Sequence, residues 1–416
     1  MCGIFGFYGF NNRKLLKNMS KILFHRGPDQ EGLYEEEKIS LGNRRLSIID
    51  LKRGKQPIFN EDKKIVVVYN GEIYNFKELK EELKKKGHKF KTNTDTEVIV
   101  HSYEEYGYEC IKKFNGMFAF ALWDKRKELL FIGRDRLGIK PLYYYFDKKK
   151  FLFASEIKAI LEDKSIKREL NKETLIDYLA FQNIVDDKTF FKNIKLLLPG
   201  HYLVLNKKKT AIERYWDVDY EKTEDDNIEN IVKKFKKIFS ESVDRHLISD
   251  VSLGSFLSGG FDSGSVTLLS GESYKKRLPV FTGLFKEGGK YNPSKYSRAI
   301  ARKIKGKIKE SWITSKDFRE NVEKVIYHLD EPRVGVAAVS MYMVSKLISE
   351  NVKVVMTGEG GDEILLGYPV YKSALIQESI KKNPLSLLKI FSLFDKSEVF
   401  RGGYFLFYPL FQREVG

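Results

Sequence analysis

The sequence predicts a two-domain chain, α+β in its first half and parallel α/β in its second. Three observations carry that class. The chain has 416 residues, more than one ordinary core accommodates. Its first half sets β-branched and aromatic runs around turn signals, with two helical stretches between them. Its second half alternates short apolar strands with helix-length segments, the pattern of a parallel sheet.

In chain order, Ile65-Val66-Val67-Val68-Tyr69 reads as a strand that stops at Asn70-Gly71 and resumes at Glu72-Ile73-Tyr74, a hairpin signal. Asn75 caps a helix to about Lys86, closed by Gly87. Thr94-Asp95-Thr96-Glu97 has the spacing of a capping box and opens a helix that runs to Gly107. Phe118–Trp123 and Leu129–Ile132 read as buried strands flanking a turn. From about Trp216 the texture turns polar and acidic, which places the domains at 1–205 and 231–416 with a linker over 206–230. Beyond it, Ile231–Arg245, Ser294–Lys305 and Ala338–Glu350 are expected helices, and Leu253–Leu257, Val280–Phe285 and Val352–Met356 expected strands.

The formal charge is +17, from 74 Lys and Arg against 57 Asp and Glu. The lysines are scattered and alternate with glutamates, as in Lys77–Lys86, which is how solvated helix faces look. No nucleic-acid module accompanies them, so no nucleic-acid partner is expected. Cys2 and Cys110 are too few for a disulfide framework. No signal peptide and no bilayer-length apolar run is visible, so the expected location is cytoplasmic, with no membrane partner. His25, His88, His101, His201, His246 and His328 are scattered and show no metal-ligand spacing.

Four groups of residues point to chemistry. Cys2, if Met1 is trimmed, carries its thiol and a free α-amine on one residue, a compact nucleophile and base. The stretch Leu257-Ser258-Gly259-Gly260-Phe261-Asp262-Ser263-Gly264 joins an expected strand to an expected helix, where glycines let backbone amides approach a phosphate. It lacks the Walker lysine, so it suits pyrophosphate held by backbone, hydroxyls and Mg²⁺. Thr357-Gly358-Glu359-Gly360-Gly361-Asp362-Glu363 ends another strand and crowds three carboxylates that repel unless a cation lies near. A parallel sheet brings both loops to its carboxyl edge. In the first half, Arg45 can hold an α-carboxylate, Glu72 and Asp95 an α-ammonium, and Asn70 with Gly71 an oxyanion.

The chain resembles the glutamine-dependent asparagine synthetase family, a class II glutamine amidotransferase joined to a PP-loop ATP pyrophosphatase domain. The likeness runs through Met1-Cys2-Gly3-Ile4, His25–Asp29, Arg45–Asp50, Gln56-Pro57, Asn70–Asn75, Thr94–Glu97, Asn115–Ala119, Arg134–Tyr143, Phe153–Lys158, Leu198–Gly200 and the two glycine-rich loops. It implies a four-layer αββα N-terminal-nucleophile fold before the α/β domain, and two linked reactions. Cys2 would attack the side-chain amide of glutamine, Asn70 and Gly71 would hold the oxyanion, and Arg45, Leu46, Ser47, Ile48, Ile49, Glu72 and Asp95 would bind the amino acid. The released ammonia would meet a carboxylate activated by ATP as an acyl-adenylate. There Leu257, Ser258, Gly259, Gly260, Asp262, Ser263, Gly283, Thr357 and Gly358 would hold ATP and pyrophosphate, Asp262 and Asp362 the Mg²⁺ that comes with ATP, and Glu359 would act in adenylation. Aspartate is the expected acceptor, with another carboxylate such as a sugar acid, or a glutaminase with an incomplete synthetase half, as alternatives. The resemblance also implies a homodimer.

Departures from the family pattern shape these expectations. Gly264 stands where a serine is usual, which would remove one phosphate contact. Gly283 stands where an apolar residue beside the adenine is expected. Ile364-Leu365-Leu366 replaces a Leu-Phe-Gly stretch and reads as a packing change. The family also extends further, through a catalytic lysine, whereas this chain ends at Gly416 just after an apolar run over Tyr404–Phe411.

Overall fold

The computed structural model describes residues 1–368 apart from 148–149, 208, 224–225, 289–291, 293 and 333–335, together with Tyr371 and Glu378. The apolar run over Tyr404–Phe411 lies outside the described residues. The chain folds into two compact units. The larger takes in Met1–Leu253, Phe285–Gly289 and Ser311–Val354; the smaller takes in Gly254–Leu284, Lys290–Glu310 and the described residues from Val355 onward.

The strands are β1 (Gly3–Tyr8), β2 (Gln30–Glu35), β3 (Ile39–Arg45), β4 (Ile58–Phe59), β5 (Ile65–Ile73), β6 (Gly116–Asp124), β7 (Leu129–Arg134), β8 (Tyr143–Phe146), β9 (Phe151–Ala154), β10 (Ile194–Leu196), β11 (His201–Leu205), β12 (Thr210–Arg214), β13 (Leu253–Phe256), β14 (Pro279–Phe285), β15 (Lys307–Ile313) and β16 (Val354–Met356). The helices include α1 (Arg13–Ile22), α2 (Phe76–Lys85), α3 (Glu97–Tyr106), α4 (Cys110–Lys113), α5 (Ile157–Ile160), α6 (Lys172–Phe181), α7 (Ile228–His246) and α8 (Phe261–Ser273). Two six-stranded sheets, ordered β10-β8-β9-β1-β3-β2 and β12-β11-β7-β6-β5-β4, build the first half.

Strand alternation makes four layers of them. On β1, Phe5 and Phe7 turn outward to Leu15, Leu16 and Met19 of α1 and Ile157 and Ile160 of α5. Ile4 and Tyr8 turn inward, joining Ile39 and Leu41 of β3 against Val66 and Val68 of β5 and Ala119, Ala121 and Trp123 of β6. The other face of β5 and β6 packs Val67, Tyr69, Phe118 and Phe120 on Leu79 and Leu83 of α2 and Val98, Ile99 and Tyr103 of α3. Each such buried side chain contributes about 1.5–3 kcal/mol by leaving water. The layers are therefore α, β, β, α, as the resemblance implied, and the period of two assigns every side chain of a strand to one of two cores.

Three local expectations are corrected. Asn70-Gly71 is no hairpin turn: β5 runs unbroken, paired with β6 from Ile65 opposite Asp124 to Ile73 opposite Gly116. A Cβ on Gly71 would lie 2.2 Å from the Met117 carbonyl oxygen, so glycine is needed there for close approach of the neighbouring strand. Thr94 caps no helix. Helix α3 begins at Glu97 after Thr96, without a side-chain cap bond, because Asp95 is drawn to β5 and Glu97 turns back to the Lys91 and Thr92 amides. Asn75 does precede α2, but its carboxamide accepts from the Asn115 N–H instead of capping.

Glu156 anchors the start of β1 from below. It is buried and takes charge-assisted bonds from His25 Nε2 and Arg26 Nη1, both at 2.9 Å, and from Lys158 Nζ at 2.5 Å. Burial alone would raise its pKa, but the His25 bond and the Arg26 and Lys158 charges pull it well below the usual carboxylate range. A depressed carboxylate contributes stability above its unfolded pKa near 4.5 and loses it as pH falls through the folded value. Glu156→Gln is expected to lower stability by about 3–5 kcal/mol near neutral pH, because it takes the carboxylate from the buried Arg26 guanidinium, whereas Lys158 keeps Asp330 at 3.0 Å. In urea melts taken across acid pH, that deficit should shrink as pH drops below about 4.5.

In the second half, β13 and β14 pair in parallel, Ser255 opposite Val280, in a four-stranded sheet ordered β15-β14-β13-β16. β15 escapes the sequence reading, since Lys-Ile-Lys-Glu-Ser-Trp-Ile alternates around charges. Among the described residues no helix is long and apolar enough to cross a membrane.

Candidate active sites

The first candidate site grows out of the core between the sheets. The inward face of β5 reads Val66, Val68, Asn70, Glu72, and that of β3 reads Ile39, Leu41, Asn43, Arg45; Cys2 continues the inward face of β1. At one end of the sandwich, then, the apolar stripes give way to a thiol, two carboxamides, a guanidinium and a carboxylate on the same inner faces.

The thiol of Cys2 donates to the Leu46 carbonyl oxygen at 3.7 Å. Its pKa is pushed up, by burial first, against the lowering charge of the amino terminus, the Leu46 contact and Arg45. Arg26 fixes the backbone here, its Nε donating to the Cys2 carbonyl oxygen at 2.9 Å while its Nη1 holds Glu156. The Ser155 hydroxyl accepts the Ile4 N–H at 3.0 Å.

Asn70 is buried and its Nδ2 has no hydrogen-bond partner among the described residues, an amide donor left over on the inner layer. Along β5, the Tyr69 N–H is taken by Gln56 Oε1 at 2.7 Å and the Ile73 N–H by Asp95 Oδ2 at 2.9 Å, both on the edge where β4 has ended. The Gly71 N–H lies between them in the alternation and points to the same edge. Asn43 Nδ2 donates to the Tyr69 carbonyl, joining the two sheets at this point.

Asp95 is buried and Glu72 half-buried, and both are raised in pKa. For Glu72 the causes are burial and then the charge of Asp95, opposed by Lys140 and Arg45. For Asp95 burial outweighs the bonds from the Ile73 amide, Tyr69 hydroxyl and Thr94 hydroxyl. Two carboxylates that disfavour each other's charge suit a cationic ligand group. Arg45 spends three N–H bonds on Gln30, Ile49 and Asp50, which holds the loop of Leu46, Ser47, Ile48 and Ile49 against the site. The Ser47 N–H is held in turn by Asp29 at 2.8 Å, while the Ser47 hydroxyl is buried without a partner.

Sequence reasoning gives no role to Arg26, Asn43 or Lys140. Lys140 is buried, its pKa lowered by burial against the attraction of Glu72, and its charge also acts on Cys2. The alternation of β3 would have found Asn43; nothing local marks Lys140 as facing Glu72.

The second candidate site lies in the smaller unit. Ser258 and Ser263 hydroxyls are 2.9 Å apart across the turn from β13 into α8. Gly259 adopts φ 91°, open to glycine, and Gly260 begins α8 with no side-chain cap, so first-turn amides face outward. Ser258, Gly260, Thr357 and Glu359 lie toward the surface, whereas Leu257 is a core residue against Val280 and Ala301. The second loop is seated on the first: a Cβ on Gly358 would come within 2.3 Å of the Ser263 amide nitrogen. Asp262 is raised in pKa by partial burial and by Asp362 and Glu363. This all-oxygen, mutually repelling set fits a hard divalent cation such as Mg²⁺.

Two expectations change here. A Cβ on Gly264 would press on Ile300 Cδ1 at 3.0 Å, so this position faces the α8 core and its glycine reflects packing. Ile364, Leu365 and Leu366 are exposed, so their difference is not a packing change. Gly283 sits on β14, two residues beyond its last pairing with β13. Gly358→Ala is expected to push the second loop off α8, destabilising the smaller unit by about 1–3 kcal/mol, checked by urea denaturation.

Residues 1–216 match the model of the glutamine amidotransferase domain, and residues 234–401 that of asparagine synthase. The chain is 34% identical over 400 residues to asparagine synthetase [glutamine-hydrolyzing] 1 of Bacillus subtilis, covering 94% of this chain and 62% of that protein. It is 36% identical over 412 residues to a putative asparagine synthetase [glutamine-hydrolyzing] 2 of Methanocaldococcus jannaschii, covering 92% and 79%. It is 33% identical to a Penicillium rubens protein named amidase chyE, covering 87% and 56%. The chain thus spans about three fifths of the length of the Bacillus protein.

Proposed function

From its membership of the asparagine-synthetase-type glutamine amidotransferase family, to which this chain belongs, we propose that it hydrolyses glutamine at Cys2 and spends the ammonia on an ATP-activated carboxylate, with aspartate as acceptor. The observation that carries the first half is the unpartnered Asn70 Nδ2 on the same inner layer as Cys2.

The buried thiol needs a base. The α-amine of Met1 at this place has its pKa pushed down to about 6, by burial first and by Arg26 and Lys140, against Cys2. With Met1 removed, the α-amine of Cys2 takes the thiol proton, Sγ adds to the amide carbon of glutamine, and Asn70 Nδ2–H and Gly71 N–H meet the oxyanion. The proton passes to the departing ammonia, and water then releases glutamate from the thioester. Glu72 and Asp95 hold the substrate's α-ammonium, and Arg45, with the loop it fixes, the carboxylate end.

In the second domain, which we place at 231–416 after a linker, Ser258, Gly259, Gly260, Ser263 and the α8 amides cradle pyrophosphate, while Thr357, Gly358, Leu257 through its backbone and Gly283 line the nucleotide. Asp262 and Asp362 would hold Mg²⁺, whose charge would offset that of pyrophosphate. The acceptor carboxylate attacks the α-phosphorus of ATP, Glu359 acts at this step, and ammonia displaces AMP to form the amide.

A single assay tests this: glutamine, aspartate, ATP and Mg²⁺ with glutamate, AMP, pyrophosphate and asparagine quantified together. Asparagine in step with AMP supports the full reading. Glutamate without asparagine overturns the choice of aspartate and leaves either another carboxylate such as a sugar acid or a glutaminase with an incomplete synthetase half.

A further inference from the structure

The scattered histidines of the sequence do not stay scattered. His88 and His101 come together with Glu61 and Glu104, one ligand atom from each lying within 4.8 Å of every other. The residues arrive from three places: Glu61 from the turn between β4 and β5, His88 from the segment after α2, His101 and Glu104 from one face of α3. We propose that these four residues bind a divalent transition-metal ion of the Zn²⁺ class, a site separate from both reaction centres.

The orientation of each group argues for a metal over a chance cluster of ion pairs. Both imidazoles turn Nδ1 inward. His101 Nδ1 is 3.4 Å from Glu104 and 3.5 Å from Glu61, and His88 Nδ1 is 3.8 Å from Glu61 and 3.9 Å from Glu104. Tetrahedral zinc with bonds of 2.0–2.2 Å sets its ligand atoms about 3.3 Å apart, so the four His–Glu separations need contract by little, while the widest pair of ligand atoms, up to 4.8 Å apart, must draw in further. Both imidazoles turn Nε2 outward to a further carboxylate at ion-pair distance, His101 to Glu97 at 3.8 Å and His88 to Glu105 at 3.5 Å. Drawn in to hydrogen-bond distance, these pairs would form the carboxylate–histidine–metal relay that fixes ring orientation in metal sites. The carboxylates of the cluster and around it are themselves held: Glu97 takes the Lys91 and Thr92 amides, Glu104 Oε1 takes Asn60 Nδ2 at 2.7 Å, and Glu61 Oε1 takes the Lys89 amide at 2.8 Å. His101 is buried, while Glu61 lies at the surface and leaves an entry path. An imidazole–carboxylate set selects zinc-like ions over Mg²⁺ or Ca²⁺. Bound there, an ion ties the segments of Glu61 and His88 to α3, which starts two residues after Asp95.

The test uses the chelator-treated chain titrated with Co²⁺ and then Zn²⁺. The expected result is one equivalent of Co²⁺ with the visible bands of nitrogen and oxygen coordination, displaced by Zn²⁺, and a higher melting temperature with Zn²⁺. Glu61→Gln and His88→Gln, both at partly exposed positions, should weaken binding more than about tenfold, and Glu105→Gln by about 10–100-fold. Circular dichroism without metal should show all three folded like the parent chain. Cys2→Ala should leave the stoichiometry unchanged, which separates this site from the thiol. Absence of a saturable equivalent, or an equivalent indifferent to Glu61→Gln and His88→Gln, would overturn the proposal and leave a network of ion pairs.

Discussion

Cys2→Ala is expected to lower glutamine hydrolysis on the order of 10⁴-fold or more, with ammonia-dependent amide formation retained. The nucleophile is the one group in the first site whose function no neighbour can assume: among the described residues the other cysteine, Cys110, is buried in the core under α3 and α4. The substitution removes a half-buried side chain whose hydrogen bond is the long contact to the Leu46 carbonyl, so the fold should be little changed. Initial rates of glutamate release from glutamine, beside amide formation from ammonium salts, decide the matter. Residual hydrolysis within tenfold of the parent would remove Cys2 from the mechanism.

Asn70→Ala is expected to cost about 10²–10³ in kcat for glutamine hydrolysis, the usual loss of one oxyanion donor, with KM changed far less. Because Asn70 Nδ2 has no partner among the described residues, its removal breaks no hydrogen bond of that donor there. The neighbouring Asp95→Ala behaves differently, since it leaves the Tyr69 hydroxyl and the Ile73 amide unsatisfied in a buried place. Kinetics and thermal melts measured together on Asn70→Ala distinguish two roles: a lost rate at preserved stability supports an oxyanion donor, whereas equal losses in kcat and stability would mark Asn70 as structural.

Much of this is legible in the chain. The alternation of Val66, Val68, Asn70 and Glu72 names both the core face and the candidate-site face of β5, and the strand-to-helix turn at Ser258–Asp262 announces itself by its glycines. What misleads is local chemistry with two uses. Asn-Gly serves a turn or a tight interstrand approach, and only the presence of β6 beside Gly71 chooses between them. Thr-Asp-Thr-Glu has the spacing of a cap, yet Asp95 finds better partners on β5 than on its own helix. Charge-bearing strands such as β15 and residues such as Lys140 are invisible because their meaning lies in long-range neighbours. The pairing of His88 with His101 belongs to the same category, since a turn before β5 completes the cluster.

The unbroken course of β5 has a consequence for how this chain can vary. Its core and its chemistry are written on one ruler, with hydrocarbon at one end of a single face and reacting groups at the other. Deleting one residue between Ile65 and Val68 would slide the markings by one step and exchange Asn70 and Glu72 for Gly71 and Ile73 in the inner layer. Point changes on that ruler are separable events, whereas insertions and deletions are not, so a length change in this strand erases fold and catalyst together.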